Sequence, residues 1–169
     1  GVAHADRDPD LDRAAALGAA VALGPFAGCR YRDLECRHAL ARAFAAEGFG
    51  IALLARDSSR LAKRHAEITA AGITAAPFIV DLADSAATLS AVEQVRTWAG
   101  GDPSSLVYNA FALQQGSADQ LDLAESWRAM RVNFIAATQL TALVAPAMRA
   151  SGTGSLLFTG GGAALNTSA

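Results

Sequence analysis

Short apolar runs alternate with longer stretches of mixed polar and apolar residues along this chain, which predicts strands separated by helices. Ala19–Leu23 is an apolar run that ends at Gly24-Pro25, a buried strand and its turn. From His38 to Glu47 the spacing is helical, with Leu40 and Phe44 at i, i+4 and Gly48 just past the end. Gly50–Ala55 is a continuous apolar run of strand length. Ser58 or Ser59 is placed to cap a helix over Arg60–Ala71, which stops at Gly72. Ile73–Val80 reads as a third strand, where Pro77 requires an edge or a bulge. Ser85 opens a helix to about Ala99, ended by Gly100-Gly101-Asp102-Pro103, and Leu106–Asn109 is a fourth strand. Residues 111–121 are polar, contain Gly116 and read as a loop. Leu123–Ala150 has helical periodicity with Pro146 inside its last turns; after a turn at Ser151–Gly154, Ser155–Thr159 is a fifth strand.

Strands alternating with helices of this length mean βαβ units and a parallel sheet. Right-handed crossovers favour the doubly wound order 3-2-1-4-5, a Rossmann-like α/β fold in three αβα layers with about five strands. Residues 1–17 are charged between Asp6 and Asp12 and contain Pro9; a poorly ordered lead is expected there, with one domain over 18–169. The sequence has no internal repeat and no linker that marks a further boundary.

With 169 residues, 52% of them hydrophobic, the chain can bury a substantial core. A net charge of −2 gives no broad basic surface, so nucleic acid is not an expected partner. No apolar run reaches the ~18–20 residues of a membrane span, so no membrane partner is expected either. Leu11–Leu23 contains Asp12 and is preceded by Asp6, Asp8 and Asp10, the wrong flank for a secretory signal. Cys29 and Cys36 make no disulfide framework, and His4, His38 and His65 are scattered without zinc-site spacing. The expectation is a cytoplasmic protein with no metal site.

Six short motifs narrow the reading. They are Ala-Arg-Ala-Phe-Ala-Ala-Glu-Gly-Phe (41–49), Ala-Leu-Leu-Ala-Arg-Asp (52–57), Asp81-Leu82, Leu-Val-Tyr-Asn-Ala (106–110), Arg-Val-Asn-Phe (131–134) and Gly-Ser-Leu-Leu-Phe-Thr-Gly-Gly-Gly (154–162). In this order and spacing, over about residues 19–165, the chain resembles the first two-thirds of a short-chain dehydrogenase/reductase. The Thr-Gly-Gly-Gly stretch after strand 5 resembles a divergent branch of that family. The implied activity is hydride transfer between NADP(H) and a carbonyl or alcohol. The C-terminal strands of the fold, and the Tyr-x-x-x-Lys pair that supplies its proton donor, are expected beyond Ala169; Lys63 is the only lysine.

An open parallel sheet binds its ligand outside the carboxyl ends of the strands. Arg56 directly follows strand 2, and Ala55 fills the place where an NAD site carries an acid for the ribose hydroxyls. A guanidinium there suits a 2′-phosphate, which makes NADP the expected cofactor and NAD the lesser one. The alternative for Arg56 is an ordinary surface arginine, and Asp57 stands one place late for the ribose acid. By resemblance Asp81 receives the adenine amino group, with Leu82 beside it; otherwise Asp81 starts the next helix. Asn109 and Ala110 match the family's Asn-Asn-Ala-Gly, while Tyr108 and Phe111 depart from it. Asn109 either touches the cofactor or holds neighbouring strands together. Asn133 takes the position of the helix asparagine that, in the family, bonds a kinked helix backbone and holds a relay water. Gly160 or Gly161 stands where the family has a serine for the substrate carbonyl, so that hydroxyl is missing.

A dinucleotide site also needs glycines between strand 1 and its helix, so that backbone amides can approach the pyrophosphate. Gly24 and Gly28 are present; the third glycine is not. Arg30, Tyr31, Arg32 and Asp33 can be encoded CGG-TAT-CGG-GAT, and a one-base shift of that string reads Gly-Ile-Gly-Ile, the family's usual pattern. A local frameshift over roughly Pro25 to His38 and a genuine insertion with a rearranged loop both fit.

Three functions follow as expectations. One is an NADP(H)-dependent oxidoreductase on a small carbonyl or alcohol, assembled as a homo-oligomer through the helix at 123–150 and inactive as a fragment. The second is a non-catalytic nucleotide-binding or scaffold domain. The third is an inactive product of a truncated or frameshifted gene.

Overall fold

The computed structural model describes residues 19–23, 41–112 and 118–159. The lead at 1–17, the loop carrying Gly24 and Gly28, both cysteines, and Gly160 and Gly161 lie outside these residues. Five strands, β1 (Ala19–Leu23), β2 (Gly50–Ala55), β3 (Ala75–Ile79), β4 (Ser105–Tyr108) and β5 (Ser155–Phe158), form one parallel sheet in the order β3-β2-β1-β4-β5. This is the doubly wound order expected from the alternation of elements. Helices connect the strands: α1 over residues 41–46, α2 (Ser58–Ala70), α3 (Ser85–Ala99), α4 (Leu123–Met130) and α5 (Ala136–Ser151).

Strand β2 shows how the sequence builds three layers. Successive side chains on a strand point to opposite faces. Ile51 and Leu53 pack with Ala41, Ile68 and Ile73, on the face covered by α1 and α2. Ala52 and Leu54 pack with Val92, Val95, Leu140 and Val144, on the face covered by α3 and α5. Pro77 lies mid-strand in β3, opposite Leu53, and β3 is an edge of the sheet, where a missing N–H costs no ladder bond on the open side. His65 Nε2 lies 3.0 Å from the carbonyl of Ala75 and ties α2 to the start of that edge.

Several local expectations are corrected. Ser58, Ser59 and Ser85 do not cap. Asp57 Oδ1 accepts from Arg60 N, and Asp84 Oδ1 accepts from Ala86 N and Ala87 N, so the cap falls one residue earlier at each helix. A carboxylate reaches the first-turn amides and complements the positive end of the helix dipole. Asp81 does not open α3, because Asp84 does. The third strand is shorter than Ile73–Val80, and Asn109 and Thr159 lie just beyond β4 and β5. The stretch expected as one helix over Leu123–Ala150 is broken: α4 starts at the Asp122 cap and runs into a π-turn, Arg131–Ile135, before α5. Pro146 sits inside α5, as expected.

Among the described residues, no helix is long and apolar enough to cross a membrane, and no group of three His, Cys, Asp or Glu side chains is placed to hold a metal ion.

Candidate active site at the carboxyl edge of the sheet

All five strands run parallel, so their carboxyl ends open on one edge. β2 lies on one side of β1 and β4 on the other, so the strand order reverses at β1, the place where an open parallel sheet takes its ligand. Arg56 follows β2, Asp81 follows β3, Asn109 follows β4 and Thr159 follows β5, so the topology brings these residues to the same edge.

Arg56 is exposed. Its neighbour Asp57 is committed elsewhere, as the α2 cap and in a 3.2 Å ion pair with Arg60. Asp81 is held from two sides: Oδ1 accepts from Ala83 N at 3.0 Å, and Oδ2 accepts from Arg128 Nη2 at 2.8 Å. Burial alone raises the pKa of Asp81. The hydrogen bonds from Arg128 and Ala83 and the charges of Arg128 and Arg56 outweigh it, so the carboxyl stays below its ordinary range. Leu82 and Ala110 are partly buried against the core.

On the other side of β1, just past β4, Asn109 is buried, and its Oδ1 accepts from Thr159 Oγ1. Thr159 N also donates to Tyr108 O at 3.0 Å. Asn109 thus joins the ends of β4 and β5. Asn133 lies in the π-turn, and both ends of its amide are spent on Ala112: Oδ1 accepts from Ala112 N at 2.7 Å and Nδ2 donates to Ala112 O at 2.9 Å. The resemblance implies a bond to the helix backbone; here the amide acts instead as a strand-like partner for the loop after β4. Buried Tyr108 donates from its hydroxyl to Val132 O in the same π-turn. Burial pushes its phenol up to about 12.

Arg128, Tyr108 and Thr159 were not among the residues expected at the site. No local signal marks Arg128, which meets Asp81 across 47 residues of sequence. Tyr108 carried a signal: a large polar side chain at the end of a buried strand needs a partner for its hydroxyl.

Residues 38–169 match a family described as short chain dehydrogenase. The chain belongs to that family. Among solved structures it resembles L-sorbose reductase from Gluconobacter frateurii complexed with NADPH and L-sorbose, at 27% identity and a TM-score of 0.69, over 83% of this chain and 51% of that one. It also resembles a metagenomic short-chain oxidoreductase in complex with NADP, at 29% identity and a TM-score of 0.70, over 83% and 60% of the two chains. A third relative is a short-chain dehydrogenase from Sphingobium yanoikuyae in complex with NADPH, at 26% identity and a TM-score of 0.67, over 83% and 52%. The chain thus spans between half and three-fifths of the length of these short-chain dehydrogenases. No curated protein matches it in sequence.

Proposed function

We propose that this chain serves hydride transfer between NADP(H) and a carbonyl or alcohol, and that the sheet edge beyond β2 and β3 holds the adenosine end of the cofactor. The observation that carries the reading is Arg56, exposed at the end of β2 with Ala55 in the place of a ribose-binding acid. Its fork of donors suits a 2′-phosphate. The three relatives named above contain NADP or NADPH.

The residues divide the work as follows. Arg56 binds the 2′-phosphate. The Asp81 carboxylate has lone pairs left beyond its two bonds and accepts from the adenine amino group, with Leu82 beside it. Gly24 and Gly28 serve the pyrophosphate. Asn109 and Ala110 fix the loop beside the nicotinamide ribose, and Asn133 holds the same loop through Ala112. When bound, the nicotinamide exchanges a hydride with the substrate.

Residues 1–169 contain no Tyr-x-x-x-Lys, and Gly160 or Gly161 stands in the serine position. We therefore expect these residues alone to bind cofactor without turnover, since a positioned proton donor is worth ~10²–10⁴-fold in rate. The glycines at 160–162 favour a second reading, in which nucleotide binding without catalysis is the whole role. A cytoplasmic homo-oligomer fits both. Leu123, Trp127, Met130 and Phe134 recur at helical spacing along α4 and the π-turn and are all exposed, an apolar stripe suited to a second copy.

Fluorescence titration tests the cofactor. NADPH should bind more tightly than NADH, and Arg56→Ala should cost NADPH about 1–3 kcal/mol, the scale of a charged hydrogen bond, while sparing NADH. Tighter NADH binding by the parent chain would overturn the assignment. Protein-dependent NADPH oxidation by residues 1–169 with an aldehyde, ketone or quinone would overturn the expectation of binding without turnover.

A further inference from the structure

Asp81 poses an electrostatic problem at an NADP site. Val80 N donates to Ala55 O, so Arg56 and Asp81 leave adjacent strands side by side. A bare carboxylate at this point would repel the 2′-phosphate that Arg56 attracts. The structure contains a counterweight. Arg128 reaches from the last turn of α4 to Asp81 Oδ2 at 2.8 Å, with both side chains about one-third to two-fifths exposed. One helical turn further on, Arg131 Nη1 donates to Ala83 O at 3.4 Å, so the same helix face also holds the 81–83 loop by its backbone.

We propose that Arg128 is a positioning and specificity residue for the nucleotide. It orients the Asp81 carboxylate toward the adenine and cancels its charge, so that this site accepts a 2′-phosphorylated adenosine. The proposal rests on the NADP reading above. It predicts that Arg128 acts on the phosphate through Asp81 and makes no contact with it. A merely structural tie between α4 and the sheet would affect every nucleotide alike.

The test uses two probes, 2′,5′-ADP and 5′-AMP, titrated calorimetrically into the full chain at pH 7 and low salt. Both carry the same adenine and 5′-phosphate, so the ratio of their affinities isolates the 2′-phosphate. Arg128→Ala should lower that ratio about fivefold, on the scale of an unscreened charge several ångströms away at a protein surface. Asp81→Asn should raise the ratio above the parental value, and adding Arg128→Ala to Asp81→Asn should bring it back to about the parental value, because the pair again leaves no net charge. Arg128→Lys keeps the charge and should keep most of the ratio; it serves also if Arg128→Ala does not fold. An unchanged ratio in Arg128→Ala, or a double variant with a ratio well below the parental one, overturns the proposal, the latter by making Arg128 a direct phosphate ligand. A parent chain that binds both probes equally, or binds neither, overturns the NADP reading itself and this proposal with it.

Discussion

The hydroxyl of Tyr108, at the end of β4, donates to the backbone carbonyl of Val132, inside the π-turn that separates α4 from α5. A π-turn shifts the helical ladder: Ala136 N donates to Arg131 O, five residues back. Tyr108 thus fastens the break in the helix to the sheet, in the stretch that carries Asn133.

Removing that hydroxyl has two expected consequences. Tyr108→Phe should cost about 1 kcal/mol, the net worth of a buried hydrogen bond. It should also change the alkaline limb of stability. Burial raises the phenol from its ordinary 10 to about 12, so the folded chain favours the neutral form. The stabilisation is complete below pH 10 and is lost as pH rises from there toward 12, because the unfolded phenol ionises first. Urea midpoints at pH 8.5 and 11 should fall more for the parent than for the Phe variant. Equal falls would count against the burial argument.

The Asn133–Ala112 pairing predicts a local effect. Asn133→Ala leaves the Ala112 amide without its acceptor, so hydrogen exchange there should quicken by about tenfold or more, as expected for a segment that loses its closing bonds. The amides of β4 should be unaffected. Unchanged exchange at Ala112 would show that the loop is held by something else.

Arg96 joins three partners: Glu93 at 2.5 Å, Asp102 at 2.7 Å and, across the helix pair, Leu143 O at 2.9 Å. The two ion pairs are partly exposed and are worth little each. The bond to Leu143 O links α3 to α5 and dominates. Arg96→Met should cost about 1 kcal/mol, and that loss should depend only weakly on salt. A loss that disappears in 1 M salt would shift the credit to the ion pairs.

The exposed stripe Leu123, Trp127, Met130 and Phe134 predicts self-association at micromolar concentration. Trp127→Glu with Phe134→Glu should lower the mass seen by light scattering and leave the far-ultraviolet circular dichroism unchanged. A monomeric parent would remove the stripe as an interface. Leu156, Leu157 and Phe158 of β5 are also exposed, so a mass that persists in the double variant would point to pairing along that strand.

The chain's own sequence determined the layers and the order of the sheet. Strand-length apolar runs such as Gly50–Ala55, punctuated by glycine and helical repeats, are local signals, and the handedness of crossovers then leaves few topologies. The same locality fixed which residues reach the carboxyl edge: Arg56, Asp81 and Asn109 follow from where strands end. Caps were less legible, because periodicity does not choose between neighbouring polar residues; the carboxylates of Asp57 and Asp84 displaced the adjacent serines by reaching the first-turn amides. Only the tertiary structure decided the rest. The helical pattern from Leu123 onward runs without interruption through Arg131–Ile135, and the π-turn there carries the bonds from Tyr108 and Asn133 to distant partners. Arg128 finds Asp81 across 47 residues, a pairing that neither residue's neighbours announce, because opposite charges meet wherever packing brings their elements together.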